Sequence, residues 1–139
     1  MKRLRVYSAA LLLVLLAAAS SIALAQLRIA SPANDSYLYD PAQQVTVEGK
    51  VLEVREFKCP VSGTLGSHIT LKASDSPIQV HLAPVAFMKE FEIVLHEGDT
   101  VKVVGAKILD EGKPALLARS VTVGNETFTF RDPKGKALW

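Results

Sequence analysis

Apolar and polar residues alternate on both sides of a short polar cluster in the middle of the chain. The run reads His68-Ile69-Thr70-Leu71-Lys72-Ala73, then Ser74-Asp75-Ser76-Pro77, then Ile78-Gln79-Val80-His81-Leu82-Ala83. Successive side chains of a strand point to opposite faces, and Ser, Asp and Pro favour reversals, so the pattern predicts an antiparallel β-hairpin. Ile69, Leu71, Ile78, Val80 and Leu82 share its buried face, and His68, Thr70, Lys72, Gln79 and His81 its outer, solvated face. With Ala73 paired to Ile78, Leu71 faces Val80, Thr70 faces His81, and His68 becomes the diagonal neighbour of His81.

The flanking chain extends the β pattern. Gln44 to Glu56 alternates with a phase slip between Val51 and Leu52, beside Gly49. Such a slip is what a β-bulge produces, and it lets one long strand serve two sides of a small barrel. Phe57 to Gly66 reads as a loop. After the hairpin, Pro84 stands where a helix tolerates proline, and Phe87, Met88, Phe91 and Val94 or Leu95 follow at helical spacing, predicting a short helix that plugs the barrel. His96 reads as a residue capping its end. Thr100 to Leu109 is a strand with a second slip beside Gly105, expected to partner the first bulged strand. Asp110 to Pro114 is a hairpin loop and Ala115 to Val123 a further strand. Residues 124–139 form an extension in which Thr127 to Phe130 suits a short strand.

The N-terminus changes the charge balance. Lys2, Arg3 and Arg5 precede an apolar run from Ala9 to Ala19 and the small-x-small site Ala23-Leu24-Ala25. Residues 1–25 therefore read as a secretory signal peptide cut before Gln26, and the run is too short to anchor the mature protein as a membrane span. Residues 26–43, with Ser31-Pro32, Asn34-Asp35 and Asp40-Pro41, read as an exposed lead-in, and residues 44–123 as the folded domain. The leader removes three of 16 Lys and Arg, leaving 13 against 14 Asp and Glu. A mature charge near −1 argues against general nucleic-acid binding, which draws its affinity from clustered positive charge. Cys59 is the only cysteine, so no internal disulfide forms even in an oxidising compartment.

Three strands, a helix and two strands form the order of a five-stranded Greek-key barrel, the OB-fold. Val47-Glu48-Gly49-Lys50-Val51, Gly98-Asp99-Thr100-Val101-Lys102-Val103-Val104-Gly105 and Ala115-Leu116-Leu117-Ala118-Arg119 carry the likeness. With its leader and the ending Arg131-Asp132-Pro133-Lys134-Gly135-Lys136-Ala137-Leu138-Trp139, the chain resembles the small exported bacterial OB-fold (BOF-like) proteins. The resemblance implies a periplasmic or secreted location. It also implies a ligand face on strands two and three, with His68, Thr70, Lys72, Gln79 and His81, flanked by loops carrying Lys58 and Cys59 on one side and Lys113 on the other. Stacking aromatics are missing from that face, with only Phe57 near it, so oligonucleotide binding is not expected.

The chemistry available is narrow. The chain has no Gly-x-Ser-x-Gly elbow, His-Glu-x-x-His, phosphate loop or Cys-x-x-Cys, so a non-enzymatic protein is expected. Two imidazoles on neighbouring strands can share a metal ion, and a Cys59 thiolate completes a soft set with His68 and His81 for copper or zinc. Without a metal, both histidines are ordinary polar positions on a solvated strand. The expected role is an exported module binding a small ligand, an ion or a partner. The alternative is a structural protein docking on an envelope assembly through an exposed apolar patch around Phe128, Phe130 and Trp139.

Overall fold

The structure, a computed structural model, describes residues 38–74 and 76–139. The expected leader, its cleavage site and the lead-in up to Tyr37 lie outside the described residues. Six strands and one α-helix follow in order: β1 (Gln44–Lys58), β2 (Leu65–Lys72), β3 (Pro77–Pro84), α1 (Val85–Glu90), β4 (Thr100–Asp110), β5 (Lys113–Val123) and β6 (Glu126–Thr129). β1 pairs with β2 and β4, β2 with β3, and β4 with β5, all antiparallel. A short parallel pairing of β3 with β5 closes the ring β1-β2-β3-β5-β4. With α1 between β3 and β4, this is the OB-fold. Among the described residues no helix is long and apolar enough to cross a membrane.

β1 makes closure possible because its two halves serve different neighbours. Gln44 to Lys50 pairs with β4, Lys50 to Lys58 pairs with β2, and the register shifts between Val51 and Glu53. The bulge stands where the alternation slips. Val51 is tied down there: its N–H donates to the Asp99 carbonyl and its own carbonyl accepts from Gly98 N–H, both at 2.8 Å. Gly49 lies against the end of β2, where an added Cβ would collide with the Lys72 carbonyl. The second irregularity also sits at Gly105, but the extra residue is Arg119 on β5, so the two bulges belong to different strand pairs. A Cβ at Gly105 would come within 2.7 Å of the Leu117 carbonyl oxygen.

The hairpin keeps its predicted faces and changes its register by two. Leu71 pairs with Ile78, Thr70 with Gln79, Ile69 with Val80 and His68 with His81, because Ala73, Ser74 and Ser76 lie outside the strands. Parity survives a shift of two, so Ile69, Leu71, Val80 and Leu82 still enter the core, joined by Val51, Val101, Val103, Leu116 and Val121. Each such side chain gains about 1.5–3 kcal/mol on burial.

The helix is shorter than its apolar spacing suggests. Pro84 caps it, Phe87 and Met88 plug the barrel, and it ends at Glu90, with Glu92 in the left-handed region at φ 52°. Phe91 is consequently 57% exposed, with its ring against Phe87, while Ile93 and Leu95 return to the core beyond the helix. His96 lies well past the helix end, in a turn where its N–H donates to the Asp99 carboxylate, so it is not a helix cap. In the lead-in, Tyr39 packs on the barrel, buried, and its hydroxyl donates to Gln44 Oε1.

The C-terminal extension packs on the barrel. β6 pairs with β5, Phe130 is fully buried, Arg131 bridges to Ala137, and the Arg131 guanidinium lies 4.7 Å from the centre of the Trp139 ring. Trp139 meets Phe87 edge to face at 5.5 Å. The apolar patch expected at Phe128, Phe130 and Trp139 is therefore not an exposed surface; Leu65, Phe91 and Leu138 are the exposed apolar residues at this end.

The face assignment predicts a contrast between neighbours. Val80→Asp, which places a charge in the core, should cost about 4 kcal/mol in urea unfolding, and Gln79→Asp about 1 kcal/mol or less. Equal losses at the two positions would contradict it.

Candidate metal centre

The β2–β3 ladder sets His68 directly opposite His81, on the face turned away from the barrel interior. This face is not solvated here, since His68 is 2% and His81 3% exposed. Two pieces of chain cover them. Phe57, near the end of β1, stacks on His68 with ring centres 4.0 Å apart and planes 15° apart, and Arg55 in turn approaches the Phe57 ring. The β1–β2 connection then turns tightly, Cys59 N–H donating to the Thr64 carbonyl and Gly63 N–H to the Cys59 carbonyl, each at 2.7 Å. That turn lays Cys59, itself 3% exposed, with its Sγ 3.2 Å from His81 Nδ1. Gly66 leaves the room needed: a Cβ there would come within 2.9 Å of the His68 ring and 3.2 Å of Cys59 Cβ.

The outer nitrogens of the rings decide what the inner ones do. His68 Nδ1 lies 3.1 Å from the Gly66 carbonyl, which only accepts, so Nδ1 carries the hydrogen and Nε2 presents a bare lone pair. His81 Nε2 lies 3.2 Å from Asp110 Oδ2; the approach is too poorly aligned for a hydrogen bond, but the carboxylate favours the hydrogen on that nitrogen. His81 Nδ1 is then the lone-pair nitrogen, 3.1 Å from His68 Nε2. Together with Cys59 Sγ, three donor atoms lie within 4.8 Å of one another. Two facing lone pairs repel unless a cation, a proton or a metal, stands between them. The adjoining cavity measures about 10 Å³ and is bordered by Ser62, Leu82, Pro84 and Trp139. That is close to the space of one water molecule.

Electrostatics prepares the sulfur. Burial pushes the Cys59 thiol up, but in the metal-free protein a proton standing among the inner nitrogens of His68 and His81 lets them donate to the sulfur, and with the hydrogen bonds from Ser62 this outweighs burial and brings its pKa down to about 5. Cys59 is therefore a thiolate at neutral pH.

The structure gathers Cys59, His68 and His81 and leaves the other expected site residues apart. Thr70 and Gln79 line an open cleft of about 720 Å³ with Ser76, Glu111 and Lys113, and Lys72 is exposed outside it. Asp110 borders the same cleft and reaches His81 from it. Sequence reasoning missed Asp110, placing it in a hairpin loop; the only signal for it was the barrel closure, which carries the β4–β5 turn beside β3. Ser62 was missed too, having no periodicity around it.

Residues 43–128, which contain Cys59, His68, His81 and Asp110, match the MamS/MamX magnetosome protein family. The chain belongs to the MamS/MamX family. Magnetosome protein MamS of Paramagnetospirillum magneticum is 31% identical over 104 residues, and that of Magnetospirillum gryphiswaldense 29% over the same length. In both cases the match takes in 73% of this chain and 57% of the relative, so the chain spans little more than half of each. The family is thus MamS/MamX rather than the BOF-like group suggested by the strand motifs and tail. Two solved structures are also similar. The fission-yeast Stn1–Ten1 complex has a TM-score of 0.47 and 15% identity, covering 60% of this chain and 59% of that one. Mitochondrial single-stranded DNA binding protein Rim1 of S. cerevisiae has a TM-score of 0.45 and 7% identity, covering 63% and 96%.

For this MamS/MamX chain the lowered thiol pKa gives a direct expectation. Thiolate ultraviolet absorbance of the metal-free protein should appear with a midpoint near pH 5 and be lost below it. Because an unfolded thiol ionises near about 8.5, ionisation should stabilise the fold fully above that pH and progressively less as pH falls toward 5. A midpoint at the ordinary thiol value would contradict the arrangement.

Proposed function

We propose that this chain is an exported, non-catalytic OB-fold module whose Cys59, His68 and His81 hold one soft metal ion, copper or zinc. One observation carries the reading. Each imidazole has its outer nitrogen facing a carbonyl or carboxylate, Gly66 or Asp110, and its inner nitrogen facing the other ring and Cys59 Sγ. Metal-bound histidines commonly present their second nitrogen to such an acceptor, which fixes ring orientation and tautomer.

Other readings explain less. Cys59, His81 and Asp110 follow the order nucleophile, base and orienting acid. However, the sulfur is buried beside a cavity of about 10 Å³, which has no space for an acyl substrate. A purely structural polar cluster would hold a proton between the two inner nitrogens, where the metal reading places an ion. Nucleic acid lacks both stacking aromatics in the open cleft and a positive mature charge. The relatives' name as magnetosome proteins is compatible with work beside envelope proteins, and the leader expected over residues 1–25 with a periplasmic or secreted location.

Native mass spectrometry tests the reading. After incubation with one equivalent of copper or zinc and buffer exchange, the wild type should retain one ion per chain. Cys59→Ser, nearly the same size, should lose about a hundredfold in affinity while keeping the circular dichroism of the fold. No retained ion in the wild type, or equal retention in the variant, would overturn it.

A further inference from the structure

The three donors are only 2–3% exposed, so nothing reaches them until a side chain moves. Apart from Ser62, Pro84 and Trp139, every residue lining the cavity beside Cys59 is buried, which places its mouth among these three. We infer that Trp139 is the gate of this site, its indole closing the mouth and swinging into a neighbouring groove to let an ion in or out. That the traffic is an ion rests on the metal-centre reading; the position of the mouth does not.

Two of the three residues at the mouth are fixed through the backbone. Ser62 sits inside the turn that Cys59, Gly63 and Thr64 tie with two hydrogen bonds of 2.7 Å, and its hydroxyl lies 3.0 Å from that of Thr64. Pro84 is paired with Gly66 in the β2–β3 ladder, and its ring locks its own backbone. Trp139 is held differently. Its ring meets Phe87 at 5.5 Å and the Arg131 guanidinium at 4.7 Å, while the neighbouring backbone is tied by Leu138 N–H to the Phe130 carbonyl. Rotation about the side-chain bonds breaks the ring contacts and leaves that hydrogen bond in place.

The ring also has somewhere to go. Beyond it lies an apolar groove of about 740 Å³, lined by Trp139 itself and by Leu65, Phe91 and Leu138, each more than half exposed. Apolar resting places on both sides of one side chain make a gate with two positions. The other approaches are shut. Phe57 lies flat on His68 with ring centres 4.0 Å apart. The open cleft of Thr70 and Gln79 is lined by none of the three donors, and from it Asp110 meets His81 at the outer nitrogen only.

Cys59 is the only cysteine, so its alkylation reports on the mouth without any metal. The metal-free full chain is treated with iodoacetamide at neutral pH and the modified fraction followed by mass spectrometry. Trp139→Ala, checked for native circular dichroism, should react about tenfold or more faster than the wild type. Leu138→Ala, which borders the groove and not the cavity, should react at the wild-type rate. Ala86→Trp acts the other way: Ala86 is exposed on α1 and lines the groove, so an indole there takes the space Trp139 needs and should slow alkylation about threefold or more. Loosened packing would speed the reaction in both variants, so opposite effects separate a gate from a merely structural role. With zinc or copper and a chromophoric chelator of the ion, Trp139→Ala should speed uptake and release alike and leave the equilibrium affinity within about threefold of the wild type.

Alkylation no faster in Trp139→Ala, or not slowed in Ala86→Trp, would overturn the gate; if Trp139→Ala does not fold, the Ala86→Trp arm decides alone. The expected alkylation order in a protein that retains neither zinc nor copper would uphold the gate and overturn the metal-centre reading. An ion retained with exchange rates unchanged in both variants would overturn the gate and leave the metal centre standing.

Discussion

β1 must hydrogen-bond to two strands on different sides of one barrel, and the rest of the molecule follows from how it does so. A regular strand would present one flat ladder to both neighbours. The bulge between Val51 and Glu53 turns the second half of β1 toward β2, while Gly98 and Asp99 pin Val51 at the corner. That turn carries Phe57 and Cys59 over the outer face of β2 and β3. Without it, His68 and His81 would be solvated ring pairs on a strand; with it they are buried, fixed in tautomer and faced by sulfur. The closure of β3 on β5 adds the other side, since it brings Asp110 from the end of β4 to His81.

Much of the barrel was legible because its signals are local. Alternation in Ile69, Leu71, Val80 and Leu82 depends on side-chain parity alone, and parity survived a register error of two residues. Both glycine-flanked phase slips marked real bulges, although at Gly105 the surplus residue lies on the partner strand. Sequence cannot say which of two paired strands absorbs an extra residue. The register itself depended on where the turn begins, and the close approach of Gly49 to the Lys72 carbonyl, a contact between residues far apart in the chain, helps end β2 there.

The site was legible in composition and not in environment. Two histidines on one face and a cysteine in the preceding loop were visible as a soft ligand set. Their burial was not, because it comes from Phe57 and the Cys59–Thr64 turn, whose positions no periodicity encodes. The five-residue face expected for a ligand divides accordingly. His68 and His81 become part of a closed centre, Thr70 and Gln79 border an open cleft, and Lys72 joins neither. The tail shows the same limit: Phe130 and Trp139, which look like an exposed patch in sequence, fold back under Arg131 and against Phe87.

The claim on which this account stands is that one thiolate and two imidazoles point at a single ion. X-ray absorption at the edge of the bound metal reads that first shell directly. The account predicts one sulfur at about 2.3 Å and two imidazole nitrogens at about 2.0 Å. A shell without sulfur, or one made of six oxygen or nitrogen neighbours, would contradict it.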